Sequence, residues 1–395
     1  MNTELLKSKL LEAAFNGSLT HADISTWENV QLGEIGTIVT GSTPSKANSE
    51  FYGNDYPFYK PGDLDQGINT DKSVDGLSKI GYEHARHLPA NSILVTCIGS
   101  IGKTGLIRRE GSCNQQINAI IPNDKCNCLY IYYLMISSAM QEKMNFLSRS
   151  MTMAILNKSK FSCMEIPLPP LAEQERIVAA LEEGFAYIDA VASAKQNLSD
   201  TAELLRNKIL QAAFDGSLTG DDYSQSIVSL GDVCDIARGG SPRPIKQFIT
   251  TREDGVNWIK IGDTEKGGKY INSCKEKIIP EGVKKSRMVH KGDFLLTNSM
   301  SFGRPYITNI DGCIHDGWLV ISPHENTFDK DFLYYLLSSS YVFAQFSDKA
   351  SGSTVSNLNI DKVIATTVPM PPIADQQRIV AKIEELFTQI DKITK

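Results

Sequence analysis

The amino-acid sequence repeats two helical segments in the same order, and this duplication constrains the fold more than any other feature. Leu5–Thr20 (LLKSKLLEAAFNGSLT) matches Leu204–Thr219 (LLRNKILQAAFDGSLT). Pro167–Asp189 (PLPPLAEQERIVAALEEGFAYID) matches Pro369–Asp391 (PMPPIADQQRIVAKIEELFTQID). The copies are about 200 residues apart, far beyond the period of a solenoid repeat. The sequence therefore predicts duplication of a whole unit, made of one globular domain and its flanking helices.

The repeats divide the chain into five segments. We predict an N-terminal helix over residues 1–20, a first globular domain over 21–166, a central helical region over 167–219, a second globular domain over 220–368 and a distal helical region over 369–395.

Leu171–Phe214 is predicted to be one long helix. Pro169 and Pro170 precede it, as suits a first helical turn, and Gly216 follows as a left-handed C-terminal cap. Apolar residues recur at three- and four-residue spacing along the segment and form one stripe. A continuous helix would be about 65 Å long, although residues 197–200 offer a place for a break.

The second copy of this helix is split between the two ends of the chain. Residues 373–395 carry its first half and residues 1–15 its second half. The simplest packing is an antiparallel pair in which one continuous helix faces one discontinuous helix. We therefore expect a circular arrangement with approximate two-fold symmetry.

The two globular segments are predicted to share one α/β fold with different surfaces. Both contain short β-branched and aromatic runs broken by Gly, Pro, Asn and Asp, which indicates short strands, for example at 92–97, 116–121, 294–297 and 318–321. Each also contains one predicted helix, at 129–145 and at 330–346. Short echoes keep the same register, such as YKPGD at Tyr59 with IKIGD at Ile259 and GSTPSK at Gly41 with GGSPRP at Gly239.

Composition indicates an ordinary intracellular globular protein. The N-terminus has no apolar signal core, and no apolar run is long enough to cross a bilayer, so we expect a soluble, cytoplasmic protein. The eight cysteines show no CxxC spacing and are interpreted as reduced thiols. The net charge of −6 argues against non-specific coating of DNA, because phosphate neutralisation needs cations. Local basic surfaces remain compatible with that charge.

Motifs for catalysis are missing, so we expect a non-catalytic protein that binds no cofactor or metal itself. The segment 97–105 (CIGSIGKTG) resembles a phosphate loop, but Cys97 stands where the first glycine belongs, and a glycine-rich turn is the better interpretation. Asp63 and Asp263 each follow a glycine and are interpreted as turn formers, not as nuclease carboxylates. No Asn/Asp-Pro-Pro-aromatic element of a base methyltransferase is present.

Basic and polar residues in the loops of the two globular segments are the remaining functional signal. Arginine and lysine bond guanine edges, and hydroxyl groups serve phosphates or bases. The candidate DNA-binding residues are Thr43, Ser45, Lys46, Lys60, Lys103, Arg108 and Arg109 in the first segment, and Ser241, Arg243, Lys246, Lys260, Lys284, Lys285, Arg287 and Arg304 in the second.

With these residues in view, the full chain resembles the specificity subunit of type I restriction-modification systems. The resemblance rests on the two AAF-[ND]-GSLT elements, the two P-x-PP-[LI]-A-[ED]-Q-[EQ]-RIV elements, the two variable segments and the circular layout. It implies an α+β fold in which two similar α/β target recognition domains are joined by two long antiparallel helices, a coiled coil. It also implies that the helices set the distance between the domains and dock partner subunits, with Gln174, Arg176, Gln376 and Arg378 as candidate docking residues.

The resemblance further implies the partners. Each recognition domain would read one half of a bipartite, asymmetric site in double-stranded DNA. Two methyltransferase (modification) subunits would carry S-adenosylmethionine, and a restriction/translocase subunit would use ATP with Mg. Two alternatives stay open at this point: a stand-alone two-headed sequence-specific DNA-binding protein, and a protein–protein scaffold whose two domains bind polypeptides.

Overall fold

The structure, a computed structural model, describes residues 2–149, 153–220, 222–223, 226–265, 267–298, 302–348 and 358–394. The chain forms two compact units, Met1–Lys195 and Gln196–Lys395. Each unit therefore holds one globular segment and one copy of each repeated helical element. In the part of the chain that is described, no helix has the length and apolar character needed to span a membrane.

Among its described residues, the first unit contains nine strands and the first part of the long helix. The strands are β1 (Glu28–Gln31), β2 (Gly36–Thr40), β3 (Tyr52–Tyr59), β4 (Asp75–Leu77), β5 (Ile93–Thr96), β6 (Thr104–Leu106), β7 (Ser112–Cys113), β8 (Ile117–Pro122) and β9 (Glu165–Leu168). The helices are α1 (Thr3–Phe15), α2 (Lys79–Glu83), α3 (Cys128–Ile136), α4 (Ser138–Ser148), α5 (Lys158–Ser162) and α6 (Leu171–Phe214), of which α6 continues into the second unit.

The second unit has a closely similar order of elements. Its strands are β10 (Ile227–Ser229), β11 (Cys234–Arg238), β12 (Ile249–Thr250), β13 (Val256–Ile259), β14 (Tyr270–Ile271), β15 (Glu276–Ile278), β16 (Arg287–Val289), β17 (Phe294–Thr297), β18 (Pro305–Thr308), β19 (Gly312–Ile314), β20 (Trp318–Pro323) and β21 (Thr367–Pro369). Its further helices are α7 (Leu230–Val233), α8 (Pro280–Val283), α9 (Lys330–Ser338), α10 (Ser340–Asp348), α11 (Ile360–Ile364) and α12 (Ile373–Thr394).

The sheets of the two units share one topology. One sheet has the order β2-β8-β5-β6 in the first unit and β11-β20-β17-β18-β14 in the second. The other has the order β4-β3-β7 in the first unit and β12-β15-β13-β19-β16 in the second, and β3/β7 and β13/β19 are both parallel pairs. A short antiparallel pair, β1-β9 or β10-β21, joins the start and end of each globular segment. The predicted mixed fold and its duplication are confirmed.

The helical prediction is confirmed for α6, which runs from Leu171 to Phe214 without a break at residues 197–200. Gly216 has φ +88°, as its predicted capping role requires. In the first unit, α1 packs antiparallel to the first part of α6, since Lys7 pairs with Asp189 at 2.7 Å and the hydroxyl of Thr20 donates to Glu173 at 2.6 Å. In the second unit, Arg206 on α6 pairs with Asp391 on α12 in the equivalent contact.

The prediction of one helix over 129–145 and one over 330–346 is wrong in detail. Each is two helices, because Ser137 and Ser339 adopt extended backbone with ψ 149° and 150°. The hydroxyl of each serine then accepts the N–H of Met140 or Val342 and caps the next helix. The apolar pattern continues across the break, so periodicity alone predicts a single helix.

The main core of each unit lies between the α3–α4 or α9–α10 pair, the sheet that contains β5 or β17, and the helical region. In the first unit Tyr130, Ile177 and Leu181 are fully buried, and in the second unit Phe332 and Ile383 are. The helices therefore fix the position of the sheets within each unit.

Candidate nucleic-acid interface

A cleft of about 670 Å³ lies in the first unit, where it is lined by the β3–β4 pair and by the loops between β2 and β3 and between β7 and β8. Lys60, at the end of β3, lies on its wall and forms an ion pair with Asp75 on β4. The backbone N–H of Lys60 donates to the carboxylate of Asp63 at 2.7 Å, and the other oxygen of Asp63 accepts the N–H of Val74 at 3.1 Å. Asp63 thus has the predicted role of a turn former, and it holds the lysine at the cleft.

The second unit has an equivalent cleft of about 960 Å³. Lys260, at the end of β13, pairs with Glu276 on β15 at 2.6 Å. Its backbone N–H donates to the carboxylate of Asp263 at 2.9 Å. The two clefts therefore share one construction: a lysine paired with a carboxylate on the neighbouring strand and fixed by a following aspartate.

A glycine-containing loop closes the mouth of each cleft. Gly41 and Gly239 lie so close to the chain that an added Cβ would be 2.2 Å from the carbonyl oxygen of Asn114 or His315, so only glycine fits. The hydroxyl residue two positions after each of these glycines lines the cleft. Thr43 donates to Oε1 of Gln115 at 2.5 Å, and Ser241 donates to Oδ1 of Asp316 at 2.6 Å.

Two residues of the second cleft, Asp316 and His315, have shifted pKa values. The hydrogen bond from Ser241 lowers the pKa of Asp316, and Arg243, at 3.3 Å from its Oδ2, acts in the same direction. Burial lowers the pKa of His315, whose Nδ1 accepts the backbone N–H of Gly317 at 2.7 Å, while Nε2 lies 3.1 Å from the backbone nitrogen of Ile261. The cleft at neutral pH therefore holds an ionised Asp316 and a neutral His315.

The structure gathers seven of the fifteen candidate DNA-binding residues in the two clefts. Thr43, Lys46 and Lys60 line the first, and Ser241, Arg243, Lys246 and Lys260 line the second. Ser45 is exposed beside Lys46 on the loop of the first cleft, where its hydroxyl accepts the N–H of Ala47 at 3.4 Å.

Three candidates of the second unit lie close to its cleft without lining it. Lys285 is placed with its ammonium 5.1 Å from the ring of Phe248, and its neighbour Lys284 is exposed. Nε of Arg287 donates to the carbonyl oxygen of Arg238 at 2.8 Å, which ties β16 to the end of β11.

The other candidates lie outside the clefts. Lys103 pairs with Asp65 at 2.7 Å, Arg108 donates to the carbonyl oxygen of Ile68 at 3.0 Å, and Arg109 donates to that of Asp55 at 3.4 Å. Lys103 and Arg304 occupy the same position of the β5–β6 and β17–β18 hairpins, since the N–H of each donates to a threonine hydroxyl, at 2.9 and 3.0 Å. The structure thus does not bring these four cations to the clefts.

The glycine-rich segment 97–105 is the connection of an antiparallel hairpin, β5–β6, and Gly99 and Gly102 have φ +77° and +86°. A phosphate loop instead joins a strand to a helix. The interpretation as a turn is therefore confirmed. All eight cysteines are unpaired, and burial raises the pKa of Cys97 to about 11 and that of Cys113 to about 12.

Two of the four docking candidates need correction. Gln174 and Gln376 are both 0% exposed. Oε1 of Gln174 accepts the N–H of Asn127 at 2.8 Å, and its Nε2 donates to the carbonyl oxygens of Lys125 and Pro169 at 3.1 and 2.9 Å. A docking residue must be exposed, so the structure assigns Gln174 an internal role, which is to fix the start of α3 against the start of α6.

Gln376 makes the same three bonds in the second unit, accepting from Asp329 at 2.7 Å and donating to the carbonyl oxygens of Thr327 and Pro371 at 2.9 and 2.8 Å. The two arginines differ, since their side chains are 61% exposed for Arg176 and 49% exposed for Arg378. Both pair with an acidic residue one turn earlier on their helix. At the start of each of these helices, the arginine is therefore the one docking candidate that is exposed enough to contact a partner subunit.

Four functional side chains of the clefts were missed by sequence reasoning: Asp75, Gln115, Glu276 and Asp316. Acidic and amide side chains can contact bases, but they are so common on protein surfaces that their presence in a loop does not by itself mark a DNA surface. The repeat register could have found Gln115 and Asp316, because they occupy equivalent places after the parallel strands β7 and β19. The partners of Lys60 and Lys260 depend on strand pairing, which the sequence does not display.

Comparison with known proteins agrees with the geometry. The model of a family described as "Type I restriction modification DNA specificity domain" matches residues 24–198 and 225–395. The chain is 38% identical over 146 residues to the specificity subunit of the type I restriction enzyme HindI of Haemophilus influenzae, which covers 36% of the chain and 32% of that relative. The chain is 24% identical over 417 residues to the EcoBI specificity subunit of Escherichia coli, covering 100% of the chain and 86% of the relative.

Solved structures share the fold. The HsdS subunit from Thermoanaerobacter tengcongensis superposes with a TM-score of 0.60 at 19% identity, over 93% of this chain and 90% of that one. A chain solved in work on complex assembly and conformational transition of the type I R-M system gives a TM-score of 0.71 at 19% identity, over 93% and 92%. At this identity the likeness concerns the fold alone.

Proposed function

The chain belongs to the type I restriction modification DNA specificity family, and we propose that it is the subunit that recognises the DNA sequence for a type I restriction-modification enzyme. Each unit reads one half of a bipartite, asymmetric site in double-stranded DNA. Seven candidate residues that gather in the two clefts support this proposal, since five of them are lysines or arginines. Such side chains contact phosphates and base edges.

The observation that carries the proposal is the construction of the two clefts. Their frames match, with Lys60–Asp75 in one and Lys260–Glu276 in the other. Their linings differ, because an amide, Gln115, accepts the loop hydroxyl in one and a carboxylate, Asp316, in the other. Two readers built alike but lined differently are what a site with two unlike halves requires.

The helical regions serve as spacer and dock in this proposal. The completion of a second long helix from the two chain ends, and the circular arrangement that follows from it, remain predictions of the sequence. Two methyltransferase subunits bind the helical regions, with Arg176 and Arg378 as exposed candidates for contact. These methyltransferase subunits carry S-adenosylmethionine and perform the methyl transfer. A restriction/translocase subunit uses ATP with Mg to cleave DNA. The complex works in the cytoplasm.

Co-expression tests this function. The full chain is produced with methyltransferase subunits in a host that lacks DNA methylation, and modified bases are mapped by single-molecule sequencing. We expect one bipartite, asymmetric motif, and none when the chain is omitted. In a matched exchange, segment 21–166 is replaced by that of another specificity subunit, and one half of the motif should change while the other stays.

The two alternatives give different outcomes. A stand-alone DNA-binding protein would bind one sequence tightly without methyltransferase subunits, which a gel shift of the isolated chain measures. A protein–protein scaffold would show no preference among DNA sequences, and its binding would not weaken with salt. Either result, combined with no methylation motif, would contradict the proposal.

A further inference from the structure

The position that receives the loop hydroxyl is one place where the chemistry of the two clefts diverges. Gln115 and Asp316 hold this position, and Thr43 and Ser241 bind them in the same way. Residues that match between the clefts can only do work common to both halves of a site. Discrimination between the halves must come from residues that differ, and in the second cleft the carboxylate of Asp316 has recruited a guanidinium, that of Arg243.

Resting on the proposed function, we propose that Arg243 and Asp316 together read one G·C base pair in the major groove and so determine specificity in one half of the site. Guanine presents two acceptors there, N7 and O6, and its partner cytosine presents a donor, the N4 amino group. The guanidinium can donate to N7 and O6 of guanine, and the carboxylate beside it can accept from N4 of cytosine. A single base pair can therefore satisfy both side chains.

The structure places Arg243 in the state that this reading needs. Its side chain is 79% exposed at the cleft, and Nη2 lies 3.3 Å from Oδ2 of Asp316. Within the described residues, Asp316 takes one N–H of Nη2 and Nη1 makes no hydrogen bond, so Nη1 and the second N–H of Nη2 can donate together to O6 and N7. Pro242 and Pro244 flank the arginine and restrict the backbone that carries it. The ion pair with Asp316 limits the directions in which the guanidinium can point.

Contact with a phosphate explains Arg243 less well. An ionised carboxylate 3.3 Å from the guanidinium repels a phosphate, whereas base edges are neutral and offer donors beside acceptors. The hydrogen bond from Ser241 lowers the pKa of Asp316, so this carboxylate stays charged at neutral pH. Lys246 lines the same cleft, and no carboxylate pairs with it in the part of the chain that the structure describes. It is therefore the better phosphate contact.

The experiment uses the full chain with its methyltransferase subunits and the variants Arg243→Met and Arg243→Lys. Arg252→Met is the matched control, because Arg252 is an exposed cation of the same unit that pairs with Asp254 and does not line the cleft. Methylation motifs are mapped for all four proteins. Methylation rates are then measured on duplexes that carry each of the four base pairs at the position that changes.

We expect the wild-type motif to require guanine at one position of one half-site, by about 10- to 100-fold over other bases. In Arg243→Met that preference falls to within about threefold, while the other half-site is unchanged. Arg243→Lys keeps the charge but not the two-pronged fork, so it also loses most of the preference. Arg252→Met behaves as wild type.

Four results would overturn the inference. The first is a wild-type motif with no G·C pair in the half that stays unchanged when segment 21–166 is exchanged. The second and third are an unchanged motif in Arg243→Met and wild-type discrimination in Arg243→Lys. The fourth is equal weakening of methylation on all sequences in Arg243→Met, which indicates a phosphate contact. Failure of the proposed function is distinct, because the wild-type chain would then give no motif at all.

Discussion

Replacing Gln174 by methionine removes three hydrogen bonds from the first unit while keeping a side chain of similar size. The N–H of Asn127 and two carbonyl oxygens then lack a partner at a residue that is 0% exposed. Each hydrogen bond contributes about 1 kcal/mol net, so the local free energy of opening should fall by about 3 kcal/mol. The start of α3 should lose its anchor to α6.

Hydrogen–deuterium exchange measures this effect where it occurs. In Gln174→Met, amides of α3 (Cys128–Ile136) should exchange about 100-fold faster, because 1.4 kcal/mol is a factor of ten. Amides of α9 in the second unit are the internal control and should not change, whereas Gln376→Met should reverse the pattern. Arg176→Met, two residues along the same helix, should have little effect, since exposed ion pairs contribute little. Equal exchange in Gln174→Met and Arg176→Met would refute the anchoring role.

Three further predictions concern the clefts and the helix. Lys246→Met should weaken DNA binding by the assembled complex equally for all sequences and reduce the slope of log K against log salt by about 0.9, if this lysine neutralises one phosphate. A changed motif in filter-binding selection would contradict a phosphate contact. Insertion of four residues near Ala192 adds roughly 6 Å of helix and should lengthen the gap between half-sites by at most about two base pairs. Methylation mapping measures this gap, and altered half-sites with an unaltered gap would contradict the spacer role. Burial lowers the pKa of His315 from 6.5, so the unfolded chain binds a proton at this residue more readily than the folded chain. The free energy of unfolding should therefore decline as the pH falls below about 6.5. Urea titrations of His315→Gln should lack that part of the decline, and the same pH dependence in this variant as in the wild type would count against the reasoning.

Much of the fold could be predicted because duplication and helical periodicity are written along the chain. Leu171–Phe214 has the predicted bounds, and the strand at Phe294–Thr297 does too. Local chemistry also located the loops at Gly41 and Gly239, which lie at the clefts. What periodicity could not show was the break at Ser137, where a hydroxyl competes with the helix.

Predictions about single side chains succeeded less well because they depend on partners distant in sequence. Gln174 has the polarity of a surface residue, yet its partners Lys125 and Asn127 belong to the preceding domain and enclose it. Lys103 was a reasonable candidate for DNA, but Asp65 pairs with it away from the cleft. A one-letter sequence gives the charge of a residue and not the neighbour that neutralises it.

The buried glutamine at the start of α6 has a consequence for binding entropy. Gln174 and Gln376 each bond the first turn of a long helix to the helix that supports the sheets. Each globular domain is therefore prevented from rotating relative to the long helix at its end. Its orientation is settled when the protein folds, so little orientational freedom is left to lose when the duplex arrives. Loosening this joint should therefore slow productive engagement even where every contact to the bases is intact.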